Sequence, residues 1–154
     1  MYCIDIITLF PDTVGDVLSE SILGRAQERD FLRIETHQLR DYTLNKQKQV
    51  DDYPYGGQGP GRPHTIYLSP CGKTFTQADA KRLAWEHDRL ILVCGHYEGI
   101  DQRFIDECVD EEISLGDFVL TGGEIAAMAV ADAVCRLVPG VLADGSCYEN
   151  ESHW

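Results

Sequence analysis

The sequence is poor in basic residues. Lys and Arg together number 13, against 26 Asp and Glu, which gives a formal net charge of −13 at pH 7. Proteins that bind nucleic acids rely on Lys and Arg to neutralise phosphates. Taken alone, this charge argues against a nucleic-acid backbone as the partner of the chain.

Paired cysteines are also absent. The six Cys residues are scattered and no two form a CxxC pair, so a zinc ribbon or a thioredoxin-like redox site has no support. Cys residues inside apolar runs usually behave as small core side chains, and this pattern predicts a reducing, cytoplasmic environment. No metal-ligating residues are predicted from the sequence.

Long apolar segments are missing as well. The most apolar stretch, near residues 125–134, is much shorter than the roughly 20 residues that a membrane-spanning helix needs. The first eleven residues contain Asp5 and no basic residue, unlike a signal peptide. We therefore expect no membrane partner.

The chain has 154 residues, enough for one domain. Along it, segments with the apolar pattern of a strand alternate with segments that have the apolar pattern of a helix. Such alternation of strands and helices is typical of an α/β domain with a mainly parallel sheet. The predicted strands are residues 2–9, 32–39, 65–68 and 90–94, and residues 118–120 form a short apolar element between two glycine-containing turns. The predicted helices are residues 14–28, 79–86, 101–109 and 123–138.

Residues 39–65 fit neither pattern. Structureless connections of this length are uncommon in compact domains and are often functional, and a parallel crossover normally contains a helix. We expect either that this loop takes part in binding or chemistry, or that part of the natural sequence is missing from it. Its segment YPYGGQGPG at 53–61 has four glycines, which permit close approach to a ligand but fit a plain flexible loop equally well.

Three further segments combine small and polar residues next to predicted strands. They are YLSP at 67–70, CGHYEGID at 94–101 and SLGDFVLTGGE at 114–124. Ligands of open α/β sheets bind beyond the carboxyl ends of strands, so together these segments predict a pocket for a small molecule with a flat apolar part. Each segment by itself is equally consistent with an ordinary turn. Similarly, Arg136 lies near the end of the last predicted helix, where the helix dipole stabilises a cation, and this alone accounts for an arginine at that position.

Six segments, taken together, match one known family. They are IDIITLFP at 4–11, VDDYPYGGQGPG at 50–61, YLSPCGKTFTQ at 67–77, LILVCGHYEGIDQR at 90–103, DEEISLGDFVLTGGE at 110–124 and RLVPGVL at 136–142. The chain resembles the bacterial tRNA (guanine-N1)-methyltransferase family. The resemblance implies an α/β domain over residues 1–142 with a C-terminal trefoil knot, of the SPOUT type. It also implies transfer of a methyl group from S-adenosylmethionine to N1 of the guanine 3′ of the anticodon, position 37 of tRNA.

The resemblance further implies the residues of the site. Those expected to bind the cofactor are Tyr67, Leu68, Ser69, Pro70, Gly95, Tyr97, Glu98, Gly99, Leu115, Gly116, Phe118, Leu120, Gly122 and Gly123. Arg136 matches the family's cation that stabilises negative charge on guanine O6, and Glu151 is the nearest match to its general base. The family depends on Mg²⁺, expected near Glu98, and works as a homodimer with its active site at the subunit interface.

Two departures from the family pattern bear on activity. The family has a helical stretch before the strand that begins near residue 65, where this chain has only residues 62–64. It also continues into a C-terminal tRNA-binding domain, to which residues 143–154 would be the start of a linker. We therefore expect this chain to bind S-adenosylmethionine and dimerise, but to methylate tRNA poorly or not at all. Two alternatives stay open: a non-catalytic cofactor-binding or dimerisation module, and a related knotted methyltransferase with another RNA target.

Overall fold

A computed structural model of the chain describes residues 1–43, 62–96 and 100–143. Its strands are β1 (Tyr2–Thr8), β2 (Leu32–Gln38), β3 (His64–Thr74), β4 (Arg89–Cys94) and β5 (Glu111–Ser114). Its helices are α1 (Pro11–Leu18), α2 (Ser21–Glu28), α3 (Leu39–Thr43), α4 (Gln77–Glu86), α5 (Gln102–Cys108) and α6 (Glu124–Cys135). The glycine-rich segment predicted at 53–61 lies outside the described residues.

Within these ranges the five strands form one sheet in the order β2-β1-β4-β3-β5. Every neighbouring pair is parallel, which confirms the predicted α/β class with a parallel sheet. Side chains alternate between the two faces of each strand. On one face, Ile4 and Ile6 pack with the buried sides of α1, α2, α4 and α6. On the other, Ile91 and Val93 pack against α5 through Phe104. The trefoil knot stays a prediction.

The single helix predicted over residues 14–28 is wrong, because the structure has two. Pro11 occupies the first turn of α1, where its fixed φ suits a helix start. Between the helices, Glu20 is extended and Ser21 has a φ of 56°, so the backbone leaves the helical path. The apolar spacing is preserved across the break, which explains why periodicity alone predicts one helix.

The end predicted for the third strand at Ser69 and Pro70 is also wrong. Strand β3 continues to Thr74, but Leu68 and Lys73 both lie opposite Ile113 of β5, so residues 69–72 form a large bulge. Pro is tolerated there because a bulge residue need not donate to the sheet. Gly72 crosses the backbone of β5 so closely that a Cβ would lie 2.6 Å from Ile113 N.

The fifth strand of the sheet, β5 at Glu111–Ser114, is not among the predicted elements. The sequence of β5 does not have the apolar pattern of a strand, because two of its four residues are adjacent glutamates and only Ile113 and Ser114 are buried. Phe118 and Val119 are instead exposed, at 55% and 79%. The apolar residues at 118–120 therefore belong to a loop.

Two of the cysteines that the structure describes are core residues, as predicted for Cys in apolar runs, whereas Cys71 is exposed. Cys94 and Cys135 are buried in the core, and the five described cysteines form no disulfide. Burial raises the pKa of Cys135 to about 12, so its thiol stays neutral near pH 7.

Within the described ranges, none of the helices has the length and apolar character needed to span a membrane.

Candidate functional site

A cavity of about 320 Å³ lies beyond the carboxyl ends of β3, β4 and β5. The residues that line it and that the sequence predicts for the cofactor are Tyr67, Leu68, Ser69, Pro70, Gly95, Leu115, Phe118, Leu120, Gly122 and Gly123. The lining also includes Cys71, His96, Ile113, Ser114, Val119, Thr121 and Ala126. The structure thus brings together the three segments that the sequence predicts to converge.

One wall of the cavity comes from β3 and its bulge. Tyr67 is buried at the end of the regular part of β3, and burial, together with the Glu112 carboxylate, raises the pKa of its phenol. Its hydroxyl therefore stays protonated near neutral pH. In the bulge, Ser69 Oγ accepts a 3.2 Å hydrogen bond from the backbone N–H of Cys71. That bond holds residues 69–71 as a compact turn beside the cavity.

A second wall comes from the approach of the loop after β4 to the start of α6. The backbone N–H of Gly123 donates a 3.1 Å hydrogen bond to the carbonyl of Gly95, and His96 pairs with Gly122 in an antiparallel bridge. A Cβ at Gly123 would lie 2.8 Å from the Cα of Cys94. The two backbones can meet this closely only because residue 123 has no side chain.

Behind this wall lies a polar network that sequence reasoning missed. Glu124 Oε2 lies 2.7 Å from His96 Nε2, and Glu124 Oε1 accepts a 2.7 Å hydrogen bond from Thr8 Oγ1. Thr8 is fully buried, and the side chains of His96 and Glu124 are 12% and 13% exposed. The signal in the sequence was weak, because each residue on its own reads as an ordinary loop or helix-start residue.

The ring of Phe10 completes the network. Its centroid lies 5.4 Å from that of His96 in an edge-on arrangement, and its backbone N–H donates to Thr8 Oγ1 at 3.0 Å. The hydroxyl of Thr8 therefore both donates and accepts. The network ties the ends of β1 and β4 to the first residue of α6, so it fixes the shape of the cavity wall.

A model of one family matches most of the chain: the model described as tRNA (Guanine-1)-methyltransferase TrmD matches residues 2–62 and 58–154. The chain belongs to the tRNA (guanine-1)-methyltransferase family. The tRNA (guanine-N(1)-)-methyltransferase of Clostridium novyi (strain NT) is 50% identical to it, over 98% of this chain and 69% of its own length. That of Clostridium perfringens (strain SM101 / Type A) is 52% identical, over 98% of this chain and 70% of its own length.

The fold agrees with that of a solved structure. The crystal structure of tRNA (m1G37) methyltransferase from Aquifex aeolicus is similar with a TM-score of 0.76 and 34% sequence identity. The similarity covers 93% of this chain and 72% of that one. The parallel sheet and its flanking helices are therefore shared with a tRNA (guanine-1)-methyltransferase.

The chain differs in length from its tRNA (guanine-1)-methyltransferase relatives, and the family-model match is divided close to the described start of β3. The alignment with the Clostridium novyi relative runs over 170 residues, more than the 154 of this chain. The family model matches in two pieces that meet at residues 58–62. The relatives therefore carry residues that the present chain lacks, and the family-model match is divided near the departure noted in the motifs.

Of the remaining site residues of the tRNA (guanine-1)-methyltransferase pattern, Gly116 and Arg136 fall within the described residues. Gly116 stands beside the cavity lining, and its carbonyl accepts a 2.8 Å hydrogen bond from Ser114 Oγ. Tyr97, Glu98, Gly99 and Glu151 lie outside the described residues. Arg136 follows the last residue of α6 and is half-buried. Ten residues separate it from Ala126 of the cavity lining, which is about 15 Å along a helix.

The described residues contain one group of His, Asp and Glu close enough together for a metal: Asp5, Glu35 and His37. Asp5 is already engaged on both oxygens, since its carboxylate accepts from Arg89 at 3.0 and 2.9 Å and lies 2.9 Å from His37 Nε2. Asp5 lies in the middle of β1, opposite Glu35 and Ile91 in the sheet. Of the three residues only Asp5 is buried, and its carboxylate is already held by Arg89 and His37.

Proposed function

We propose that this chain transfers a methyl group from S-adenosylmethionine to N1 of the guanine 3′ of the anticodon, position 37 of tRNA. The observation that carries the proposal is that the family's motif residues surround one cavity at the carboxyl ends of three parallel strands. This is where open α/β sheets bind their ligands. The acidic charge of the chain does not oppose this function, since a single base entering the pocket needs few phosphate contacts.

The cavity suits S-adenosylmethionine in size and chemistry. Its volume of about 320 Å³ falls in the range of small-molecule sites. The apolar side chains of Leu68, Leu115 and Leu120 offer surface to a flat adenine ring. When bound, this cofactor supplies a methyl group on a sulfonium, activated for displacement.

Catalysis then requires that guanine N1 be made nucleophilic. Guanine N1 carries a proton and is a poor nucleophile until a general base removes it. Negative charge develops on O6 as that proton leaves, and a cation aimed at O6 lowers the barrier. We assign that cation to Arg136 and retain Glu151 as the candidate base. Mg²⁺ near Glu98 belongs to the same proposal.

The position of Arg136 supports a homodimer with shared sites. Within one chain, Arg136 and the cavity are at opposite ends of α6, about 15 Å apart. An arginine that acts on the base beside the cofactor must then come from a second copy.

In this proposal, residues 1–142 form the cofactor domain, residues 143–154 begin the linker that follows it, and the protein works in the cytoplasm.

The experiment that tests the function combines binding and transfer. Isothermal titration calorimetry of the full chain with S-adenosylmethionine should give measurable heat, and its absence at millimolar ligand would count against the proposal. Single-turnover methyl transfer is then measured on a tRNA transcript with guanine at position 37 and on a control with adenine there. Mass spectrometry of nuclease digests locates the methyl group, and a product at another nucleotide would contradict the assigned target.

A second candidate function is a cofactor-binding module that no longer catalyses transfer. The observation that favours it is the length of the chain, since the alignment with the Clostridium novyi relative runs over 170 residues and this chain has 154. This candidate predicts cofactor heat without transfer to either transcript, even at high enzyme concentration. Transfer confined to the transcript with guanine at position 37 excludes it.

A further inference from the structure

Arg25 and Arg29 stand apart from the other cations of this acidic chain. Of the 13 basic residues, Lys46 and Lys48 lie outside the described ranges, which leaves eleven. Six of these form ion pairs with carboxylates: Arg33, Arg62, Lys73, Arg82, Arg89 and Arg103. Arg40, Lys81 and Arg136 also engage other groups. Within the described part of the chain, the two left without a partner are Arg25 and Arg29.

The two arginines lie side by side on the surface. Both are exposed, and they are four residues apart at the end of α2, so they project from the same face one turn apart. With Ile22 and Ala26 they line a cavity of about 290 Å³, whose other side is residues 140–143. None of the described residues that line this cavity is acidic.

A purely structural role does not account for the pair. One cation near the end of a helix is stabilised by the dipole, but two like charges at a spacing of four residues destabilise it. An anion bound between them removes that repulsion. Guanidinium groups bind phosphate with two parallel hydrogen bonds, so a phosphate is the anion that fits best.

The location of the pair indicates which phosphate. The cavity wall at Gly140 begins four residues after Arg136, so the two arginines lie at the end of the domain where α6 ends. The proposed function places the target base beside Arg136. We infer that Arg25 and Arg29 bind the phosphate backbone of the RNA substrate, an inference that rests on the proposed function.

The test is the salt dependence of tRNA binding by the full chain. Affinity for a tRNA transcript is measured by fluorescence anisotropy from low to moderate salt for the wild type and for Arg25→Gln/Arg29→Gln. Each phosphate contact contributes about 0.7 to 0.9 to the slope of log affinity against log salt, so the double variant should lose about 1.4 to 1.8. The control is Arg33→Gln, which removes one positive charge from an exposed ion pair and should keep the wild-type slope.

Separate readouts distinguish this inference from the proposed function. Calorimetry with S-adenosylmethionine should give the same affinity for the double variant and the wild type, since neither arginine lines the cofactor cavity. A wild-type slope in the double variant, or an equal loss in the Arg33→Gln control, overturns the inference and leaves the function standing. If the wild type fails to bind tRNA at low salt while cofactor binding is intact, both the inference and the proposal that the substrate is an RNA are overturned.

Discussion

Glu124 and His96 are joined at the wall of the cavity beyond β3, β4 and β5, with Glu124 Oε2 lying 2.7 Å from His96 Nε2. The other carboxylate oxygen accepts from the buried hydroxyl of Thr8. One side chain therefore connects the residues that follow β1 and β4 to the start of α6. Because Gly95, His96, Gly122 and Gly123 all line the cavity, this connection controls the geometry of that wall.

We expect Glu124→Ala to lower the free energy of unfolding by about 1–3 kcal/mol, because it removes the acceptor of the buried Thr8 hydroxyl and the contact with His96 Nε2. The loosened wall should also weaken the binding of S-adenosylmethionine. Urea unfolding and isothermal titration calorimetry measure the two effects. Glu124→Gln is the matched control, since its amide oxygen still accepts from Thr8 and most of the stability should return. Equal losses in both variants would contradict the hydrogen-bonding role.

Gly123→Ala should destabilise the fold by about 1–3 kcal/mol through overpacking. Its new Cβ would lie 2.8 Å from the backbone of Cys94, and the two chains would have to separate. Gly15→Ala provides the control, because a Cβ in the middle of α1 would meet Thr36 Oγ1 at an ordinary 3.4 Å. That variant should be neutral or stabilised by up to about 1 kcal/mol. Thermal unfolding followed by circular dichroism separates the outcomes, and similar midpoints for the two variants would refute the packing argument.

Arg136→Ala should reduce the rate of methyl transfer and leave the affinity for S-adenosylmethionine unchanged, because Arg136 lies far from the cavity of its own chain. Single-turnover rates and calorimetry give the two quantities. Loss of both together would show that Arg136 supports the cofactor wall rather than the guanine.

Mixed dimers test whether the site is shared between two copies. Arg136→Ala and the wall variant Gly123→Ala are each expected to transfer poorly on their own. A mixture of the two should regain activity, because a mixed dimer contains one site with an intact wall and an intact arginine. If both residues acted within one chain, mixing would restore nothing.

Asp79 gives the fold a defined dependence on acid pH. Burial opposes its ionisation, but hydrogen bonds from Lys73 at 2.6 Å and from the Thr76 hydroxyl and backbone outweigh that effect and lower its pKa. A carboxylate with a lowered folded-state pKa contributes stability above its unfolded value, near pH 4, and this contribution disappears as the pH falls through the folded value.

Asp79→Asn should therefore be less stable than the wild type by about 1–3 kcal/mol at pH 7. The variant lacks the charged carboxylate that accepts hydrogen bonds in the capping box of α4. The difference between the two proteins should shrink as the pH falls below 4. Urea unfolding at a series of pH values from 7 to 3 measures it. A difference that stays constant over this range would rule out a role for the charge.

Several features follow from local sequence. The buried runs of β1 and β4 and the alternation of β2 predict parallel strands because each pattern depends only on neighbouring side chains. The motif segments likewise indicate the family, and their positions after strands predict the cavity. The order of the strands does not follow, because β1 lies between β2 and β4, which are far apart in the chain.

The sequence by itself determined the α/β class, the segments around the cavity and the family. Tertiary structure alone decided that β5 rather than residues 118–120 completes the sheet, since an edge strand with two glutamates has no apolar signature of its own. It also decided that Thr8 and Glu124, 116 residues apart, share a hydrogen bond. Such contacts depend on how the whole chain packs, which neither periodicity nor the spacing of motifs specifies.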